Sequence, residues 1–209
     1  MMMHKLVFLP GASGSQQFWQ PLMARLPASA RKTVIAYPGF DGVEADASIQ
    51  SLADLKTRVI SQIEEDSILI AQSMGGVLAI AAALQQPNRL RALVLMATSG
   101  GLDLTPFQAK DWREIEPLQW AKLPQWFVED QTYYHPEQLA SIDLPVLLLW
   151  ADQDELSPVA VGEFLVRQLP NARLVIMPDA DHWFASSQAE RVAGEINRFL
   201  HDYFCKATF

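Results

Sequence analysis

The run from Ser67 to Val77, S-I-L-I-A-Q-S-M-G-G-V, constrains the fold more than any other part of the chain. Ile68, Leu69 and Ile70 make a short apolar run of the kind shown by a parallel strand buried on both faces. The residues after Ser73, from Gly75 to Leu84, read as an apolar helix. Ser73 therefore falls at a sharp strand-to-helix turn. A side chain there is held away from the sheet, beside the unpaired N–H groups and the positive end of the helix. The small residues Ala71 and Gly75 flank it, as so tight a turn requires. Such a turn can present a nucleophile, and taken alone it suits an ordinary helix-capping serine as well.

The rest of the chain repeats the same unit. Lys5 to Leu9 reads as a strand, Pro10 to Gly14 as a turn, and Phe18, Leu22 and Leu26 as the stripe of a first helix. Thr33 to Tyr37 is a second strand, followed by a helix marked by Ile49, Leu52, Leu55, Val59 and Ile63. Leu90 to Ala97, Leu144 to Ala151 and Ala172 to Met177 are further strands. Val159 to Leu169 is a helix between the last two, and Ala189, Val192, Ile196, Phe199 and Tyr203 mark the final helix. Alternation of this kind predicts an α/β fold: a three-layer αβα sandwich around a mainly parallel six-stranded sheet with right-handed crossovers. With 209 residues, half of them hydrophobic, the chain is expected to form a single domain over 1–209. The rhythm breaks only at about 99–143, where seven aromatic residues lie among Pro106, Pro117, Pro124 and Pro136. An excursion of that length without a strand signal predicts a helical lid insertion.

Composition excludes several classes of function. A net charge of −8 argues against a phosphate-binding surface, so no nucleic-acid partner is expected. The single cysteine, Cys205, permits no internal disulfide and no multi-cysteine metal site, which fits a reducing compartment. The apolar run Leu6 to Leu9 is too short for a secretory core, and no run approaches the roughly 18 apolar residues of a membrane span. A cytoplasmic protein without a membrane span is expected. The loop Gly11 to Gly14 lacks the glycine spacing and the Lys-Ser/Thr pair of nucleotide-binding loops, so no cofactor is implied.

In parallel sheets ligands gather beyond the carboxyl ends of the strands. Three such loops carry reactive side chains: Ser73 after the third strand, Asp152, Asp154 and Glu155 after the fifth, and His182 after the sixth. Serine, acid, histidine is a known triad order. Asp152 and Asp154 both lie close enough to serve as the acid. His4, His135 and His201 read as surface residues, with His135 in the insertion a weaker candidate for substrate contact.

Over nearly its whole length the chain resembles the α/β-hydrolase family. The matching pieces are L-P-G-A-S-G after the first strand, Y-P-G-F-D-G after the second, the A-Q-S-M-G turn, A-x-x-D-x-x-x-P and the final P-x-A-x-H. The resemblance implies Ser73 as nucleophile, Asp154 as acid and His182 as base, with the backbone N–H groups of Ala12 and Met74 as oxyanion-hole donors. It also implies the strand order 2-1-3-4-5-6, here without the antiparallel hairpin that usually opens the sheet. Four positions depart from the family pattern. Pro10 replaces a histidine that commonly braces the first loop, and Ala71 and Ala151 replace glycines. Asp181 replaces the glycine before His182, and facing the ring it would stabilise the imidazolium.

The implied chemistry is hydrolysis of a small-molecule carboxylic ester through an acyl-enzyme. His182 takes the proton of a serine that is otherwise a poor nucleophile, the acid orients the ring, and two N–H groups receive the developing charge. Between Ser99 and Asp143 three basic residues face eight acidic ones, which suits an uncharged apolar or a cationic substrate. Trp112, Trp120 and Trp126 of the insertion, with Trp183 beside the histidine, are the candidate substrate contacts. Thioesterase, acyl-transferase, lyase and perhydrolase chemistry on the same residues stays open, as does a non-catalytic binding role.

Overall fold

In the computed structural model, which describes residues 4–115, 122–130 and 133–204, the predicted alternation is present strand for strand. Strands β1 (Lys5–Leu9), β2 (Arg31–Val34), β3 (Ser67–Gln72), β4 (Leu90–Met96), β5 (Val146–Ala151) and β6 (Ala172–Met177) form one sheet. Every pairing is parallel, and the spatial order is β2-β1-β3-β4-β5-β6. The chain steps outward from β1 to β2 and then crosses back to wind from β3 to β6. The order therefore reverses between β1 and β3, and a crevice opens at their carboxyl ends, where the Gly11 loop and Ser73 lie.

The period of two in the central strands assigns their side chains to two cores. Leu9, Leu69, Leu95, Leu148 and Trp150 face one layer, while Phe8, Ile70, Val94, Leu147 and Leu149 face the other. The first layer holds α2 (Leu52–Ser61), α3 (Met74–Gln85) and α6 (Val159–Gln168), through residues such as Leu55, Val59, Leu78, Val161 and Leu165. The second holds α1 (Gln20–Met23), α7 (Phe184–Ser187) and α8 (Ala189–Phe204), through Leu22, Phe184, Val192, Ile196 and Phe199. Local signals set the ends of these helices. Ser51 caps α2, its Oγ accepting the Asp54 N–H at 3.1 Å, and the Asp54 carboxylate in turn accepts the Ser51 hydroxyl at 2.7 Å. Among the described residues no helix is long and apolar enough to cross a membrane.

Three predicted details are corrected. The first helix is a 3-10 turn (Gln17–Trp19) leading into a single α-turn, and Trp19 is the buried residue while Phe18 is half-exposed. Pro21 sits in the first turn of that helix, where its missing N–H is tolerated, and the chain leaves the helix by Ala24. The second strand closes at Val34; one further bond, Ile35 N–H to the Phe8 carbonyl, carries the chain on toward the buried Tyr37. In the last helix the buried stripe ends on Leu200, and Tyr203 stays 39% exposed with its ring against Phe199.

Between β4 and β5 the described residues form no strand, only short helical turns that include α4 (Gln125–Val128) and α5 (Pro136–Ala140). The segment has its own aromatic core. Trp112 stacks on Phe127 at 5.4 Å, and Phe40 of the sheet domain meets both Phe127 and Trp126 edge-on. Its two stems are clasped where the Tyr134 N–H donates to the Gly101 carbonyl at 2.7 Å. Beneath the Tyr134 ring lies the Lys56 ammonium, 5.2 Å from the ring centre, whose pKa is lowered by burial and partly restored by Asp130.

Two glycines outside the site test the packing. A Cβ on Gly162 in α6 would come within 2.7 Å of the buried Trp150 ring, whereas one on Gly194 in α8 would meet nothing within 4 Å. Gly194→Ala is expected to raise stability by about 0.5–1 kcal/mol and Gly162→Ala to lower it by about 1–3 kcal/mol. Urea unfolding of the two variants checks both signs.

Candidate active site

Ser73 occupies the tip of the turn between β3 and α3 with φ 54° and ψ −121°, outside the regions that non-glycine residues normally populate. Such a conformation costs about 1–3 kcal/mol and persists only where its surroundings hold it. Here they do: the Ser73 N–H donates to the Met96 carbonyl at 3.0 Å, and its own carbonyl accepts the Thr98 hydroxyl at 2.6 Å and the Gly76 N–H at 3.0 Å. The two glycines after Met74 have separate reasons to be glycine. A Cβ on Gly75 would lie 2.2 Å from the Leu9 carbonyl oxygen, and one on Gly76 would lie 2.3 Å from the Thr98 hydroxyl. Ala71, which departs from the family pattern, is fully buried in β3 opposite Leu9.

The loop after β1 comes right up to this turn. A Cβ on Gly11 would sit 2.4 Å from the Gln72 side-chain oxygen and 3.2 Å from the Ser73 Cβ. Pro10 offers no side chain to brace the loop, and the brace comes from Tyr37, whose buried hydroxyl donates to the Pro10 carbonyl at 3.0 Å. Burial pushes the Tyr37 pKa well above its ordinary value, which keeps that donor protonated. Ala12 and Met74 both line the same cavity. Met74 opens α3, so its N–H is one of the helix's unpaired donors.

Of the two aspartates after β5, it is Asp154 that meets the histidine. Its Oδ2 lies 2.8 Å from His182 Nδ1, and its Oδ1 accepts the backbone N–H groups of Leu156 at 2.8 Å and Ser157 at 2.9 Å. The carboxylate is fully buried, and the His182 side chain is 10% exposed. Engagement of Nδ1 leaves Nε2 as the ring nitrogen available to the cavity. Asp152 has other work. It accepts the Ala180 N–H at 3.1 Å, and with the Gln153 N–H to Ala180 carbonyl bond it ties the acid loop to the histidine loop. Backbone N–H groups of the histidine loop, Ala180 first and then Asp179, hold its pKa below the usual value. Asp181 does not brace the imidazole either; its carboxylate accepts the Trp183 N–H at 2.9 Å and shapes the turn after the histidine.

Ser73 and His182 lie in the wall of one cavity of about 960 Å³, with Gly11, Ala12, Gln72 and Met74 at its base. Its upper wall comes from the segment between β4 and β5, including Leu102, Leu104, Trp112 and Phe127. Of the four tryptophans singled out in the sequence, Trp112 and Trp183 line this cavity, Trp183 being 47% exposed beside the His182 ring. Trp126 does not line it: the indole packs on Phe40 and Phe127, supporting the wall from behind. Trp120 lies outside the described residues. His135, also weighed for substrate contact, is exposed at the start of α5 and not part of the wall. Among the described residues no group of three or more His, Cys, Asp or Glu side chains could hold a metal ion.

Several residues that matter to this geometry carried no signal that sequence reasoning used. Gln72 sits at the variable position of the A-x-S-x-G turn, and its Nε2 reaches the His182 carbonyl at 3.2 Å. Thr98 and Ser157 are buried polar residues just after β4 and just after the acid. Phe18, read as part of the first helix's core stripe, packs partly against that core and also lines the cavity.

Comparison with known proteins agrees with the fold. The chain matches the group described as the Alpha/beta hydrolase family over residues 6–195. It is 27% identical to a 2-hydroxy-6-oxononadienedioate/2-hydroxy-6-oxononatrienedioate hydrolase of Paraburkholderia phymatum, over 93% of this chain and 83% of that protein. It is 25% identical to a pimeloyl-[acyl-carrier protein] methyl ester esterase of Neisseria meningitidis, over 94% and 93%. Among solved structures, carboxylesterase CesB from Bacillus subtilis superimposes with a TM-score of 0.71 at 19% identity, over 95% of this chain and 84% of that one. Esterase RhEst1 from Rhodococcus does so with a TM-score of 0.73 at 17% identity, over 96% and 91%. With the family pattern matched over most of its length and the strand order the fold requires, the chain belongs to the alpha/beta hydrolase family.

Proposed function

We propose that this chain is a cytoplasmic serine hydrolase that cleaves a carboxylic ester of a small or medium, uncharged apolar substrate through an acyl-enzyme intermediate. The observation that carries the reading is the joint placement of Ser73, on its strained turn, and His182, backed by a buried Asp154, in one cavity wall. In this reading Ser73 Oγ attacks the ester carbonyl while His182 Nε2 takes its proton. Asp154 fixes the ring tautomer and stabilises the imidazolium. The N–H groups of Ala12 and Met74 receive the negative charge on the former carbonyl oxygen. His182 then protonates the departing alcohol, and a water activated by the same nitrogen releases the acid.

The segment at about 99–143 acts as the lid over this site, and its wall supports the substrate class. Apolar faces come from Leu102, Leu104, Trp112 and Phe127. Among the described residues, Asp103, Asp111, Glu129 and Asp130 line the cavity, with Lys110 and Arg113 as counter-charges. Lys110 is already paired with Glu155 at 2.7 Å, and Arg113 with Asp111 and the Val128 carbonyl. A substrate carrying free carboxylates, such as the dioates in the name of the Paraburkholderia relative, would enter against this charge. A neutral small-molecule ester would meet no such opposition.

On p-nitrophenyl esters of increasing acyl length, the wild type is expected to turn over short and medium chains. Ser73→Ala should lose activity by on the order of 10³-fold or more while keeping its thermal midpoint. Esterase activity retained in Ser73→Ala contradicts the assignment. Asp154→Asn is expected to lower kcat by on the order of 10³-fold, because the amide favours the wrong tautomer of His182. Asp152→Asn keeps an oxygen for the Ala180 N–H and should change kcat by less than about tenfold. Steady-state kinetics of the pair decides between the two carboxylates.

A further inference from the structure

The three residues assigned to the chemistry come from three separate loops, and the hydrogen bonds around them close into a single circuit. The Thr98 hydroxyl donates to the Ser73 carbonyl at 2.6 Å. The Ser157 hydroxyl donates to the Thr98 carbonyl at 3.1 Å. The Ser157 N–H donates to Asp154 Oδ1 at 2.9 Å, and Asp154 Oδ2 holds His182 Nδ1 at 2.8 Å. The His182 carbonyl accepts from Gln72 Nε2 at 3.2 Å, and Gln72 is joined to Ser73 by a peptide bond. Each polar group in the circuit is directed at the next, and Thr98, Ser157, Asp154, His182 and Gln72 are all buried.

We propose that Thr98 and Ser157 are positioning residues that fasten the Ser73 turn to the Asp154–His182 pair through this circuit. The proposal rests on the serine-hydrolase reading above and adds to it two side chains that are not reacting groups: Thr98 lies outside the cavity lining, and Ser157 lines the cavity with its hydroxyl turned to the Thr98 carbonyl. Thr98 occupies the junction. Its hydroxyl donates to the strained turn and also accepts the Gly100 N–H at 3.0 Å, which places it between that turn and the first residues of the lid segment. The space it fills is reserved by Gly76, where any Cβ would fall 2.3–2.7 Å from three Thr98 side-chain atoms. Ser157 joins the other end, because its hydroxyl reaches Thr98 while its N–H reaches the acid. Its carbonyl accepts the indole N–H of the fully buried Trp150 at 2.9 Å, so the acid loop is anchored to β5 at the same residue. Removal of the Thr98 hydroxyl takes from the Ser73 carbonyl its side-chain donor and leaves it the backbone N–H of Gly76. The turn then moves relative to the histidine with no loss of any group that contacts substrate.

The test uses Thr98→Val, which keeps the shape and removes the hydroxyl, Thr98→Ser, which keeps the hydroxyl, and Ser157→Ala. With the p-nitrophenyl ester the wild type turns over best, Thr98→Val and Ser157→Ala are expected to lower kcat by on the order of 10- to 100-fold with KM changed less than about twofold. Thr98→Ser should recover most of the wild-type kcat. The double variant Thr98→Val/Ser157→Ala should lose far less than the product of the two single losses, since either change opens the same circuit. In parallel, the water-exchange rate of the His182 Nδ1 proton, read by NMR on histidine-labelled protein, is expected to rise at least about threefold in Thr98→Val and Ser157→Ala and to stay at the wild-type rate in Thr98→Ser. Wild-type kcat in both Thr98→Val and Ser157→Ala overturns the proposal, and so does an unchanged exchange rate. A wild type that turns over no ester refutes the hydrolase reading instead, and the exchange rates still decide whether the circuit holds the histidine. If Thr98→Val does not fold, Ser157→Ala and Thr98→Ser decide by the same two measurements.

Discussion

The structure turns on a backbone conformation that an L-residue rarely adopts. Ser73 sits at φ 54° in the reversal between the central strand β3 and the helix behind it, and the neighbouring sequence is shaped to keep it there. Gly75 lets the Leu9 and Pro10 carbonyls approach, Gly76 lets Thr98 approach, and Gly11 lets the first loop lie against Gln72. A side chain at any of these three positions would push one wall of the crevice away from the others. The strain at one residue is thus held by close contacts from two neighbouring strand ends, a burden that a fully buried central strand between two largely buried ones can carry.

The sheet order makes this economy possible. Because the winding reverses between β1 and β3, their following loops part to either side and leave a crevice lined by Gly11, Ala12, Ser73 and Met74. The acid and histidine loops, carried on β5 and β6, reach it as one unit, since Asp152 and Gln153 bond to Ala180. The segment between β4 and β5 then supplies an apolar wall and an excess of carboxylates. Its stems are clasped at Gly101 and Tyr134 over the buried Lys56. Loops on a parallel scaffold are free to vary in this way without disturbing the floor, which is why fold alone does not decide the substrate.

Much of this is legible in the sequence because buried parallel strands announce themselves. Runs such as Ile68 to Ile70 and Val146 to Trp150, each followed by a helical stripe, fix the element order, and the turn residues mark Ser73 and His182. The carboxylate that meets the histidine is harder to read. Asp152 and Asp154 stand two residues apart in one loop, and only the path of that loop shows which carboxylate meets the imidazole and which binds backbone. Thr98, Ser157 and Tyr37 were silent, because a threonine after a strand or a tyrosine at a strand end has many uses, and theirs depend on partners 25 to 59 residues away. The aromatic segment misled in part. Trp126 has the composition of a substrate contact, yet it packs behind the wall, since period and polarity say that an indole is covered and not by what. Asp181 likewise stands next to the histidine in sequence but turns to the Trp183 N–H, the nearer donor for a short carboxylate.

The most direct test of the central claim is a crystal structure of the protein after reaction with a small alkyl fluorophosphonate. The account predicts one covalent adduct, on Ser73 Oγ, with the phosphoryl oxygen about 2.7–3.1 Å from the N–H groups of Ala12 and Met74 and His182 Nε2 beside the bonded oxygen. An adduct on any other residue, or an unmodified Ser73 with the reagent in excess, would contradict it.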